Sequence, residues 1–170
     1  MAKYNIENGY LPEDILQSAF HHYEAAKLLL ERSPDYFDSG GYMLHLSIEL
    51  MFKAWILNEQ KEFDSTHSLQ NLRQVLIESG EKLPFTKQEN KVLTHLDGLY
   101  ELRYPNRNQP TEIGSEEIQL VEPIVEKIWQ SLSESLVIAF NKIPPGSKGG
   151  RIYMRKPKEI PIDPKLILGE

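Results

Sequence analysis

The chain has 170 residues, 40% of them hydrophobic and 26% charged, which is the size and texture of one folded domain and excludes a disordered or membrane-embedded chain. It has no cysteine, which excludes a disulfide framework, a thiolate metal site and a Cys nucleophile. The net charge of -6 opposes indiscriminate nucleic-acid binding but is unevenly spread: residues 1–141 carry 12 Lys/Arg against 22 Asp/Glu, and residues 142–170 carry 7 against 3, an acidic body with a basic tail.

The opening "MAKYNIENGYLPED" lacks the charged-then-apolar order of an export signal, and a cytoplasmic protein is expected. A first helix is predicted from Pro12 to Arg32, with Pro in the first turn and Glu13 and Asp14 where the helix dipole favours acids. Ile15, Ala19, Tyr23, Ala26 and Leu30 recur along one face. "SPDYFDSGG" reads as a break. The second helix is expected from Gly41 or Tyr42 to Asn58, apolar almost all round and therefore central, and too charged and short to span a bilayer. A third helix, capped by Ser65 or Thr66, buries Leu69, Leu72, Val75 and Leu76 and stops at Gly80. The fourth starts at a Thr86 cap and runs through Leu93, Leu96, Tyr100 and Arg103 until Pro105 forbids more. A fifth runs from Ser115 towards Asn141, kinked or delayed by Pro123. The pattern predicts an all-α, up-and-down bundle of four to five helices over residues 1–142, followed by an extended Pro/Gly/Lys/Arg-rich basic tail over 143–170.

Few residues in this pattern carry chemistry. His45, Glu49 and Lys53 follow one another at four-residue steps along the second helix, either as a solvent stripe with a Glu-to-Lys pair or as polar groups facing a cleft. His67 falls in the first turn of the third helix, where a backbone-bonded neutral imidazole is the plain reading. Arg103 can cap its helix, but Arg107, beyond Pro105 in a loop with Asn106, Asn108 and Gln109, has no such role. Two guanidiniums flanking Tyr104 suit phosphate gripping and base stacking, and the alternative is a helix cap followed by a solvated loop. His21 and His22 point to different helix faces, no metal site or cofactor is expected, and "GSKGG" lacks the strand and helix of a phosphate loop.

In order and spacing, "YMLHLSIELMFKAWIL", "THSLQNL" and "YELRYPNR" resemble the HEPN domain family over roughly residues 10–142. The resemblance implies a helical bundle that usually dimerises, with a cleft at the dimer interface. It implies either an RNase of toxin–antitoxin and phage-defence systems or a non-catalytic partner of nucleotidyltransferases that binds nucleotide or RNA. RNase members carry an Arg-x(4–6)-His segment, whereas residues five to seven after Arg103 are Asn108, Gln109 and Pro110, and those after Arg107 are Glu112, Ile113 and Gly114. The implied role is thus a homodimeric, non-catalytic binder of nucleotide or RNA using Arg103, Tyr104, Asn106 and Arg107, with Lys53, Glu49 and His67 reaching the same cleft. The competing expectations are an RNase in which His67 or His45 replaces the absent histidine, and a structural interaction module whose basic tail docks on an acidic surface.

Overall fold

A computed structural model describes residues 3–144. The expected tail, apart from its first two residues, lies outside the described residues. The described chain is an all-α bundle of six helices: α1 (Pro12–Arg32), α2 (Phe37–Gln60), α3 (Leu69–Glu78), α4 (Lys87–Gly98), α5 (Glu117–Ser131) and α6 (Glu134–Asn141). Two three-residue strands, β1 (Lys3–Asn5) and β2 (Glu62–Asp64), pair antiparallel, with Tyr4 opposite Phe63. Lys3 and Glu62 form an ion pair across them.

Helix α1 has the predicted limits. Its buried stripe is Leu16, Ala19, Tyr23, Ala26 and Leu30, with Ile15 only partly buried at the edge. It packs along α2, whose central residues Leu44, Ile48, Phe52 and Trp55 are fully buried. A helix enclosed this completely has neighbours on every side, as its nearly uniform apolarity requires.

Four expectations are corrected. Helix α2 begins at Phe37, so Gly40 and Gly41 lie inside it; the break is confined to a 3-10 turn at Pro34–Tyr36, where the Ser33 hydroxyl accepts from the Asp35 N–H. The third helix is capped by Ser68, not Ser65 or Thr66, which leaves His67 ahead of the helix instead of in its first turn. The fourth helix tightens after Gly98 into a 3-10 turn, Leu99–Arg103, before Pro105. The expected fifth helix is two helices, and the division falls at Leu132–Ser133, where both residues are extended. Pro123 stays within α5 on an exposed side, while Leu132 is buried and the Ser133 hydroxyl accepts from the Asn58 amide. The Thr86–Glu89 capping box that opens α4 is complete.

Candidate functional site

Four-residue spacing brings His45, Glu49 and Lys53 onto one edge of α2, and the fold encloses that edge. Their relative exposures are 0%, 2% and 5%, so the solvent-stripe reading fails and the three form a buried polar cluster. Glu49 is its centre. It accepts a bond from Lys53 Nζ at 2.6 Å, lies 3.3 Å from His45 Nε2, and is met by His67 Nδ1 at 3.1 Å from both carboxylate oxygens. Burial alone pushes the Glu49 carboxyl up. The bonds from His45, Lys53 and His67, with the Lys53 charge, outweigh that and hold it down at about 2. A buried carboxylate satisfied on both oxygens is tolerable where an isolated one would not be.

The cluster also joins elements. His45 Nδ1 donates to the Leu96 carbonyl at 3.0 Å, tying α2 to α4, and both of its ring nitrogens are engaged. Asp97, the next residue of α4, accepts from the Leu69 N–H at 2.8 Å and from the Ser68 hydroxyl at 3.2 Å. These bonds fix the start of α3, and with it the position of His67 on Glu49. Unlike His45, His67 remains half exposed, with a side-chain exposure of 51%.

From His67 the site continues through Tyr100. The two rings stack at 4.8 Å with 21° between their planes, and the Arg103 guanidinium lies 3.5 Å from the Tyr100 ring centre. Arg103 Nε donates to the Tyr100 carbonyl at 3.1 Å, which is the helix-end role expected of it. It makes no ion pair with a carboxylate among the described residues. Tyr104, 67% exposed, lies beside the same guanidinium, 5.0 Å from ring centre to Cζ.

Glu49, Lys53, His67, Arg103 and Tyr104 are therefore one connected group. Asn106 and Arg107 follow in an exposed loop. The Asn106 side chain is spent on that loop, accepting from the Asn108 N–H at 3.0 Å and donating to Gln109 at 3.4 Å. Arg107 has no hydrogen bond or ion pair to any described residue. Tyr100 was missed as a site residue although it stands three residues before Arg103, the spacing that stacks side chains on one helix face. Asp97 had no local signal at all. No group of three His, Cys, Asp or Glu side chains among the described residues is placed to hold a metal ion. No helix among them is long and apolar enough to cross a membrane.

The arginine loop is clamped at both ends on α2. A Cβ added to Gly41 would come within 2.8 Å of Leu102 Cδ1 and closer still to Ile113 Cδ1, the residues just before and just after the loop. Gly41 is thus kept small by a close approach, which offsets its cost in a helix interior. Gly41→Val is expected to cost about 1–3 kcal/mol in a urea unfolding titration, because both clamp residues must move; a loss below about 0.5 kcal/mol would mean the clamp yields freely.

The sequence matches the family model described as "HEPN domain" over residues 12–135, which takes in all of α1 to α5 and every residue of the Glu49–Arg103 group. No curated protein and no solved structure matches the chain. With most of its length covered by that model, the chain belongs to the HEPN domain family.

Proposed function

We propose that the Arg103 face binds the phosphate of a nucleotide or RNA element without turning it over. In this reading the protein acts as a homodimer beside a second protein, such as a nucleotidyltransferase, in a toxin–antitoxin or phage-defence type of system. One observation carries the reading: in a body holding 22 acids against 12 bases, the Arg103 guanidinium is spread on the Tyr100 ring with only its Nε engaged among the described residues. Arginine offers five N–H donors in a planar fork that matches a phosphate, and an aromatic platform pre-orients that fork. Arg107 supplies a second cation, unpaired among the described residues, on the adjoining loop, and Tyr104 a second exposed ring. Native mass spectrometry of freshly purified protein tests this. The wild type is expected as a dimer retaining a nucleotide or short RNA that Arg103→Ala loses; identical ligand-free spectra would return Arg103 to helix capping.

A second reading rests on the Glu49–His67 pair. A half-exposed imidazole whose Nδ1 is held by a buried carboxylate has its other nitrogen available for proton transfer, the arrangement of a general base. His45, fully buried with both nitrogens engaged, has no such freedom. RNA cleavage that disappears in His67→Ala would make the protein an RNase; a protein silent across pH would remove this reading.

A further inference from the structure

Beside the proposed phosphate-binding face is a cavity of about 230 Å³ whose aromatic wall, Tyr4, Tyr10 and Phe63, has no role in the readings above. The β1–β2 pairing closes one side by stacking Tyr4 on Phe63, with ring centres 5.2 Å apart and 16° between planes. Tyr10 stands edge-on to Tyr4 at 5.0 Å and is 38% exposed. It follows Gly9, whose φ of +85° is left-handed backbone that glycine adopts without penalty. The polar groups of the wall are Lys53, Ser65 and His67.

Three features define what such a cavity takes. Its volume lies below the roughly 300–1,000 Å³ of sites that enclose a whole small-molecule ligand, so it holds one ring system and leaves the remainder outside. Its apolar lining is Tyr4, Tyr10 and Phe63 with Ile15 and Leu50, and aromatic rings stack on planar heterocycles. Its one lysine is nearly buried: Lys53 is 5% exposed, its Nζ lies over the Phe63 ring at 5.6 Å, and of its three N–H donors one goes to Glu49, with no other hydrogen bond among the described residues. A spare buried donor calls for an acceptor in the ring that enters, such as a carbonyl oxygen.

The cavity also adjoins the Arg103 group. His67 belongs both to its wall and to the stack that carries Arg103. Tyr100 lies between the imidazole and the guanidinium, whose separation is no more than the sum of 4.8 and 3.5 Å, so a ribose running along the outer edge of that stack spans from one to the other.

We propose that the Tyr4–Tyr10–Phe63 cavity receives a carbonyl-bearing nucleobase, whose ribose passes His67 and whose phosphate sits on Arg103. The inference rests on the phosphate-binding reading and adds a base subsite to it. Lys53 then has two tasks, neutralising Glu49 and donating to the base. Ser65 offers a hydroxyl that can donate or accept.

Calorimetric titration of the full-length protein with uridine 5′-monophosphate and with ribose 5-phosphate separates the two layers. The wild type is expected to bind the nucleotide at least about tenfold more tightly than the sugar phosphate, the gain that stacking one base brings. Tyr10→Ala is expected to erase that difference while leaving ribose 5-phosphate binding unchanged, and Tyr10→Phe to preserve it. Because Tyr10 is partly exposed, neither variant removes core, and circular dichroism checks the fold. Arg103→Ala is expected to weaken both ligands. Equal affinity for the two ligands in the wild type, or a preference that survives Tyr10→Ala, overturns the base subsite and leaves the phosphate reading standing. Failure of the wild type to bind either ligand overturns both.

Discussion

Glu49→Gln is expected to lower the unfolding free energy by about 3–5 kcal/mol, the cost of removing one partner from a buried charge pair. The side chain is nearly isosteric, so the loss is electrostatic and not a cavity. What remains is a Lys53 ammonium that is 5% exposed and has lost its only carboxylate partner among the described residues, beside His45 with an amide where the carboxylate stood. For a domain whose total stability is of the order of 5–15 kcal/mol, this is a large fraction. The midpoint of a urea titration should fall with little change in slope. Adding Lys53→Met should recover much of the loss, since the orphaned charge is then removed and a chain of similar length still fills the space. A single-variant loss under about 1 kcal/mol would mean that water reaches the cluster and screens it.

The same carboxylate sets how the fold responds to acid. In the folded protein Glu49 is held at about 2, against an ordinary value of 4.5, so between these pH values the unfolded chain binds a proton that the folded chain does not. A carboxyl depressed by folding contributes stability that is present above its unfolded pKa and lost as pH falls through the folded one. The contribution is therefore complete above about pH 5 and disappears on going down to about pH 2. At 1.36 kcal/mol per pKa unit it amounts to about 3 kcal/mol. Unfolding midpoints measured from pH 6 to pH 2 should fall more steeply for the wild type than for Glu49→Gln. Glu89 is also held below its ordinary value, chiefly by its bond from Lys127, but it is present in both proteins, so the difference between the curves reports Glu49 together with the groups bonded to it. Parallel curves would place the depression elsewhere.

In a group made of Glu49, His67, Tyr100 and Arg103, stability and the proposed recognition draw on the same side chains. Positioning His67 on Glu49 aligns the ring against which Tyr100 stacks, and Tyr100 carries the arginine. Loss of Glu49 should therefore be felt at Arg103 although the two share no direct bond among the described residues.

Helices whose signals are local were legible in the residues alone. Pro12 with Glu13 and Asp14 marked the start of α1, and Thr86 with Glu89 capped α4; such signals sit within one turn and need no tertiary partner. The four-residue spacing of His45, Glu49 and Lys53 fixed their common edge, and the order of three short segments was enough to indicate the family. Only the tertiary structure decided whether that edge faced water or the interior, because the answer depends on α3 and α4 closing over it. It alone placed His67, eighteen residues away, on Glu49, and the Leu96 carbonyl on His45. It placed Gly40 and Gly41 inside a helix, where the Leu30 and Ile113 side chains lie so near that a Cβ at either position would meet them, a close approach that a local reading of two glycines as a break does not foresee. The pairing of Lys3–Asn5 with Glu62–Asp64, which builds the aromatic cavity, was equally invisible, because three-residue strands carry almost no periodic signal and derive their stability from the rings packed behind them.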